Sequence, residues 1–150
     1  MRKAPIMGRQ QAGQAMVEFL LSLIVLMVFV FFCFEMFMMV YSYNVLADAA
    51  KEGVRFAIVN GSNSGTAAGP AAGATSDCST NISAVQNVVR QYGFLTFHNT
   101  SGMTVNVCYL DGNNKAPSRV QVSVHYAYQP YFKLPLTPTI NAAAMGRIVN

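Results

Sequence analysis

The chain has 150 residues, 53% of them hydrophobic and only 11% charged, and carries a formal charge of +4. That charge does not make a nucleic-acid binder: three of the ten basic residues fall in Met1–Gly13, and the rest are scattered without aromatics placed to stack bases. The length excludes a multidomain protein and allows one small domain beside a membrane segment.

Arg2, Lys3 and Arg9 come first, followed by the polar stretch Gln10-Gln11-Ala12-Gly13. From Phe19 to Val40 the only polar side chains are Ser22 and Glu35. A bilayer core needs about 20 apolar residues in a helix, and a soluble core helix would show a polar face that this stretch lacks. The stretch is therefore read as a membrane span. The basic residues on its short N-terminal side hold that end in the cytoplasm and send the remainder out. Glu18 stands alone just where the apolar run begins. An acid at that depth is costly to desolvate, so a cationic partner is expected for it.

The residues Gly13-Gln14-Ala15-Met16-Val17-Glu18 resemble the prepilin peptidase site of type IV pilin-like proteins. The resemblance implies cleavage between Gly13 and Gln14, and Glu18 as the assembly glutamate. The amino group freed at Gln14 would supply the cation that Glu18 needs, with pairing between neighbouring subunits selecting register. Glu35 lies about 25 Å further along a helix, near the outer edge of the bilayer. Two readings stay open for it: an acid in the headgroup layer, or an assembly residue packed between subunits.

Tyr41 and Tyr43 mark the outer interface. The helix then continues through Asn44–Val59 with a changed pattern. Asp48, Lys51, Glu52 and Arg55 are spaced to pair along one face, while Ala49, Gly53 and Ala57 form a stripe of small residues that admits a close neighbour. That neighbour is either the chain's own domain or another subunit. Asn60-Gly61 ends the helix. Ser62–Ser76 is low-complexity Gly, Ala, Ser and Thr, read as a flexible loop. A second helix is expected over Asn81–Tyr92, with Ser79 or Thr80 as cap and Gly93 as its end.

Beyond it the hydrophobic period becomes two. Met103–Leu110 and Arg119–Tyr126 read as strands of an antiparallel hairpin, joined by Asp111–Ser118. Pro130, Pro135 and Pro138 break the passage that follows, and Thr139–Ile148 offers a last strand. Cys78 and Cys108 lie in the exported part, where a disulfide is favoured. Closing a loop of about 30 residues, it would contribute about 3–4 kcal/mol. Cys33, inside the span, is a small apolar filler.

No catalytic motif accompanies His98 or His125, and Glu18 and Glu35 are too far apart for acid–base work, so no enzyme is expected. Oxygen donors alternate at Asp111, Asn113 and Asn114, but a single carboxylate is too few for a calcium loop. Neither a metal nor a cofactor is expected.

Gly13–Val59, with Glu18-Phe19 after the processing site and the helix ADAAKEGVRFAIV, resembles the TadE-like branch of bacterial tight-adherence pseudopilins. The hairpin, the Pro-rich passage and the terminal AAAMGR resemble it more loosely. The span departs from the family in its richness in Phe and Met and in lacking an early Pro. The expected fold is α+β and pilin-like: leader 1–13, membrane and assembly helix 14–60, flexible loop 61–79, and a small exported domain 80–150 with an antiparallel sheet.

The resemblance implies other pilin or pseudopilin subunits, the prepilin peptidase and an inner-membrane assembly platform as partners. The implied location is the bacterial inner membrane, with an extracellular place in a pilus as a further stage. Two alternatives remain: a membrane-anchored assembly factor or binding module that does not polymerise, and a secreted domain cut after Ala47-Asp48-Ala49. The long apolar run, interrupted by Glu35, speaks against the latter.

Overall fold

A computed structural model of the chain describes residues 8–66, 68–70, 78, 82–94, 100, 102–132 and 137–149. Arg2, Lys3, Ser79, Thr80, His98 and Pro135 lie outside them. Two units are formed, Met1–Met38 and Met39–Asn150. The fold is α+β: helix α1 at Gly8–Val59, helix α2 at Ser83–Phe94, and strands β1 at Met103–Tyr109, β2 at Arg119–Ala127 and β3 at Thr139–Arg147.

In the first unit, α1 shows apolar side chains on every side. Met16, Phe19, Leu21, Val25 and Phe29 are all exposed. Exposed apolar side chains on all sides are compatible with a membrane-spanning helix. The helix is long and apolar enough to cross a membrane over the first part of Gly13–Val59.

In the second unit the same helix becomes one-sided. Val45, Leu46, Ala49, Ala50, Val54 and Ala57 are buried, at spacings of three and four, which collects them on one face. The opposite face carries Asp48 and Lys51, paired at 2.9 Å. The helix ends where Asn60 turns back, its backbone N–H and its side-chain Nδ2 both donating to the Phe56 carbonyl at 3.1 and 2.9 Å. That satisfies a carbonyl with no further turn to serve it.

The sheet is a three-stranded antiparallel meander in the order β1-β2-β3. Its strand residues alternate: Val120, Val122, Val124 and Tyr126 of β2 point inward, with Arg119, Gln121, Ser123 and His125 on the other face. Register aligns Met103, Tyr126 and Ile140 at one end of the sheet and Tyr109, Val120 and Gly146 near the other. The inner face thus presents valines from β1 and β2 but Ala142, Ala144 and Gly146 from β3. Full burial of a Val or Leu contributes about 1.5–3 kcal/mol. Leu46, Val85, Val89, Val107, Val120, Val122 and Val124 are all under 2% exposed and make this the core.

Two glycines set how closely α1 approaches that core. A Cβ on Gly53 would run into Val89 and lie 3.4 Å from Val122. A Cβ on Gly146 would run into Ile58 and lie 2.8 Å from Val54. The small stripe on α1 therefore receives valines from α2 and β2. In turn, the small stripe on β3 receives Val54 and Ile58 from α1. Of the two neighbours expected for Ala49, Gly53 and Ala57, the domain's own sheet and second helix is the one found.

The second helix falls two residues later at each end than the expected Asn81–Tyr92, and Gly93 is accommodated and buried rather than terminating it. Its Gln86 side chain donates to the Val105 carbonyl at 3.0 Å, tying α2 to β1. Cys78 and Cys108 are joined in a disulfide, with Cα atoms 4.3 Å apart. Cys108 faces the outer side of β1, so the bond links the chain after the Gly/Ala-rich stretch to the back of the sheet.

Candidate functional site

The residues singled out in the sequence for processing and assembly lie on α1. Gly13, Gln14 and Glu18 are all exposed. Among the described residues, nothing stands within 4 Å of where a Gly13 Cβ would be. Gln14 and Glu18 are separated by four residues, one helical turn or about 6 Å of rise. Glu18 is the only charged side chain between Gln14 and Phe34. A lone exposed acid amid exposed apolar residues is a group whose partner must come from outside the helix once lipid or other helices surround it.

Glu35 differs. Its residue is 6% exposed, buried by the chain itself. The two acids are therefore not equivalent members of one site, and the structure does not bring them together.

The second unit contains two local constructions that the sequence did not announce. The first is a clasp. Tyr109, 1% exposed, donates its hydroxyl to the Ala68 carbonyl at 2.8 Å. Gly69 beside it has φ +125, and a Cβ there would strike the Tyr109 ring and Asn114. Only glycine adopts that backbone without strain and leaves the ring room. Ser62 N–H donates to the Asn114 carbonyl at 2.9 Å, and Ala68 N–H to the Asn60 carbonyl at 2.8 Å. Ser62 and Ala68 are thus stitched to the hairpin, Ser62 to Asn114 and Ala68 to Tyr109. Burial pushes the Tyr109 hydroxyl up to about 12. The position of Gly69 in a run of small residues gave no sign of this role.

The second is the β1–β2 turn. Asp111 accepts from the Arg119 side chain, through Nη2 at 2.8 Å and Nε at 3.3 Å, and from the Arg119 backbone N–H at 2.8 Å. These hydrogen bonds hold the Asp111 carboxyl below the usual carboxylate range. Asn113 Oδ1 meanwhile accepts from Lys115 N–H and from the Ser118 hydroxyl. Two of the three oxygen donors considered for calcium, Asp111 and Asn113, are thus engaged in shaping the turn. No cluster of three or more His, Cys, Asp or Glu suited to a metal occurs among the described residues. His125 Nδ1 lies 2.7 Å from Asn141 Oδ1, its cross-strand neighbour on the outer sheet face.

The distinctive surface is the first turns of α1, where a glycine, a polar residue and a lone acid precede the apolar run. The family model described as TadE-like protein matches residues 13–55, beginning at Gly13 and ending before the sheet. No curated protein and no solved structure matches the chain. Over this helix the chain is TadE-like, consistent with a TadE-like protein of the tight-adherence pilus system.

Proposed function

We propose that the chain is a pilin-like subunit, cut by prepilin peptidase between Gly13 and Gln14 and incorporated through α1 into a tight-adherence pilus or its assembly complex. The observation that carries this reading is the family match starting at Gly13, on a helix whose apolar side chains are exposed all round. Exposed apolar area of that extent needs lipid before assembly and neighbouring helices after it. Exchange of the one for the other is how such a subunit leaves the membrane.

Glu18 takes the assembly role by pairing with the amino group of Gln14 on a neighbouring subunit. In an apolar bundle either charge alone costs several kcal/mol, so only the register that joins them is favourable. The domain covers Ala49, Gly53 and Ala57 itself. Subunit contacts in this reading are therefore made by α1 below Met39, where Met16, Phe19, Leu21, Val25 and Phe29 are exposed. The N-terminus stays cytoplasmic until processing, the domain is exported, and the chain carries no catalysis of its own. Its partners are other pilin-like subunits, the peptidase and the inner-membrane platform.

The test is the intact mass and N-terminal residue of the protein taken from its native membrane or surface fraction. A chain beginning at Gln14 supports processing. One beginning at Met1 makes the protein a static anchor, and one beginning at Ala50 makes it a secreted domain.

A further inference from the structure

The end of the sheet where Met103, Tyr126 and Ile140 align differs from the other end in charge and in aromatic content. Asp111, Lys115, Arg119 and Arg147 all belong to the hairpin end. At the Tyr126 end, residues 126–132 and 137–141 contain no charged side chain, nor does Met39–Asn44 of α1; Lys133, next to Phe132 in the sequence, lies outside the described residues. The same end contains Tyr131 and Phe132, which are 60% and 44% exposed. The backbone doubles back here, Tyr128 N–H donating to the Pro138 carbonyl at 3.1 Å. Between α1 and the start of β3 runs an open groove of about 470 Å³, walled by Met39, Val40, Tyr43, Pro138, Ile140 and Asn141.

Continuity with the span decides what meets this end. Val40 is the last residue of the apolar run, and Tyr41 and Tyr43 stand one turn beyond it, where amphipathic aromatics sit at a bilayer surface. The groove wall and the span boundary are thus made of the same residues. Met39 and Val40, the last residues of the apolar run, line the groove together with Pro138 and Ile140.

We propose that the Tyr126 end of the domain is a membrane seat: Tyr131 and Phe132 enter the interfacial layer of the membrane crossed by α1, and lipid acyl chains occupy the groove at Pro138. The inference rests on α1 spanning a membrane and adds a second point of contact for the domain. A domain held at two points presents a fixed face to incoming partners. Extraction from the membrane then requires release of the aromatic loop as well as of the helix.

The chain contains no tryptophan, so a single substitution makes an unambiguous reporter. Full-length chains carrying Phe132→Trp, Tyr131→Trp, Phe29→Trp or Val149→Trp are reconstituted at low density in phosphatidylcholine and phosphatidylglycerol vesicles with doxyl-labelled lipid. Phe29 reports the span. Val149, whose N–H donates to the Ile58 carbonyl, reports the far end of the domain, roughly 25 Å of helix rise above Tyr41.

The expected result is blue-shifted emission from Phe132→Trp and Tyr131→Trp, with lipid quenching at least about twofold that of Val149→Trp. Quenching of both no greater than that of Val149→Trp, with Phe29→Trp strongly quenched, overturns the seat and leaves the span intact. An unquenched Phe29→Trp removes the span and the seat together. Emission from Phe132→Trp that shifts with protein density and ignores doxyl lipid assigns the face to a second copy, which also overturns the proposal.

Discussion

The lower and upper parts of α1 are both apolar helix, and they are used in opposite ways. Below Met39 the apolar side chains surround the axis and Phe19, Val25 and Phe29 stay exposed. Above it they gather on one side and Leu46, Ala49 and Ala57 are wholly buried. Hydrophobicity alone does not separate the two; distribution around the axis does. A uniform coat asks for an apolar solvent, whereas a stripe asks for a core. One continuous helix therefore carries a part stabilised by its surroundings and a part stabilised by the chain, and perturbations of the two parts have different readouts.

The sharpest way to break that contrast is to unlink the domain. Cys78→Ser with Cys108→Ser removes a closure of sequence separation 30 and is expected to cost the domain about 3–4 kcal/mol. In a detergent melt of the full chain the domain transition falls by more than about 10 °C, while the helical signal of the span persists. A melt unchanged by the double substitution or by reductant would show that the disulfide does not hold the domain.

Next in size is overpacking. Gly53→Val places a side chain where Val89 and Val122 already stand and is expected to destabilise the domain by about 1–3 kcal/mol. Val25→Ala, in the exposed coat, is expected to leave the same transition in place. Equal losses from the two would erase the distinction between the two parts of the helix.

Which parts of this were legible follows the same division. The long apolar helix, the hairpin alternation at Val120, Val122 and Val124, the last strand and the Cys78–Cys108 pair were all readable, because hydropathy, period and the number of cysteines are properties of residue types in order. The partner of the Ala49, Gly53 and Ala57 stripe was not. Periodicity reports that a face is small and apolar; it is silent on whether a sheet or another helix covers it. Gly146 was hidden for a related reason: its value lies in Ile58 and Val54, almost ninety positions earlier in the chain.

The Tyr109 clasp depends on a glycine among several in a low-complexity run, and only the backbone at Gly69 distinguishes it. At the candidate site, Gly13, Gln14 and Glu18 were legible as a motif. The burial of Glu35 was not, since spacing along a helix gives depth and not cover.

The clasp offers the third test, smaller and confined to the domain. Tyr109→Phe strands the Ala68 carbonyl and is expected to cost about 1–2 kcal/mol. It also has a pH signature. The folded hydroxyl titrates at about 12 against an ordinary value near 10, so the fold favours the protonated phenol. That contribution is complete below pH 10 and is lost as pH rises toward 12. Tyrosinate absorbance should show two of the seven tyrosines lagging, Tyr109 at about pH 12 and Tyr126, which burial also raises, and Tyr109→Phe should remove the step at about pH 12. A step at about pH 12 that survives the substitution would move the assignment elsewhere.

The smallest expected effect belongs to the turn, where Asp111 and Arg119 meet at the surface. The folded carboxyl is held low by the Arg119 hydrogen bonds, so its contribution is present above the ordinary carboxylate range and is lost as pH falls through the lowered value. Exposure and salt screen the pair, and its contribution should shrink further as ionic strength rises. The melting temperature of the full chain is followed from neutral pH down to about pH 2, a window that brackets ordinary and lowered carboxylates. Asp111→Asn is expected to flatten a small part of the acid slope and leave the neutral value nearly unchanged. An Asp111→Asn chain with the full acid slope of the parent would show that the turn is shaped by its backbone and by Asn113, with the ion pair an ornament on it.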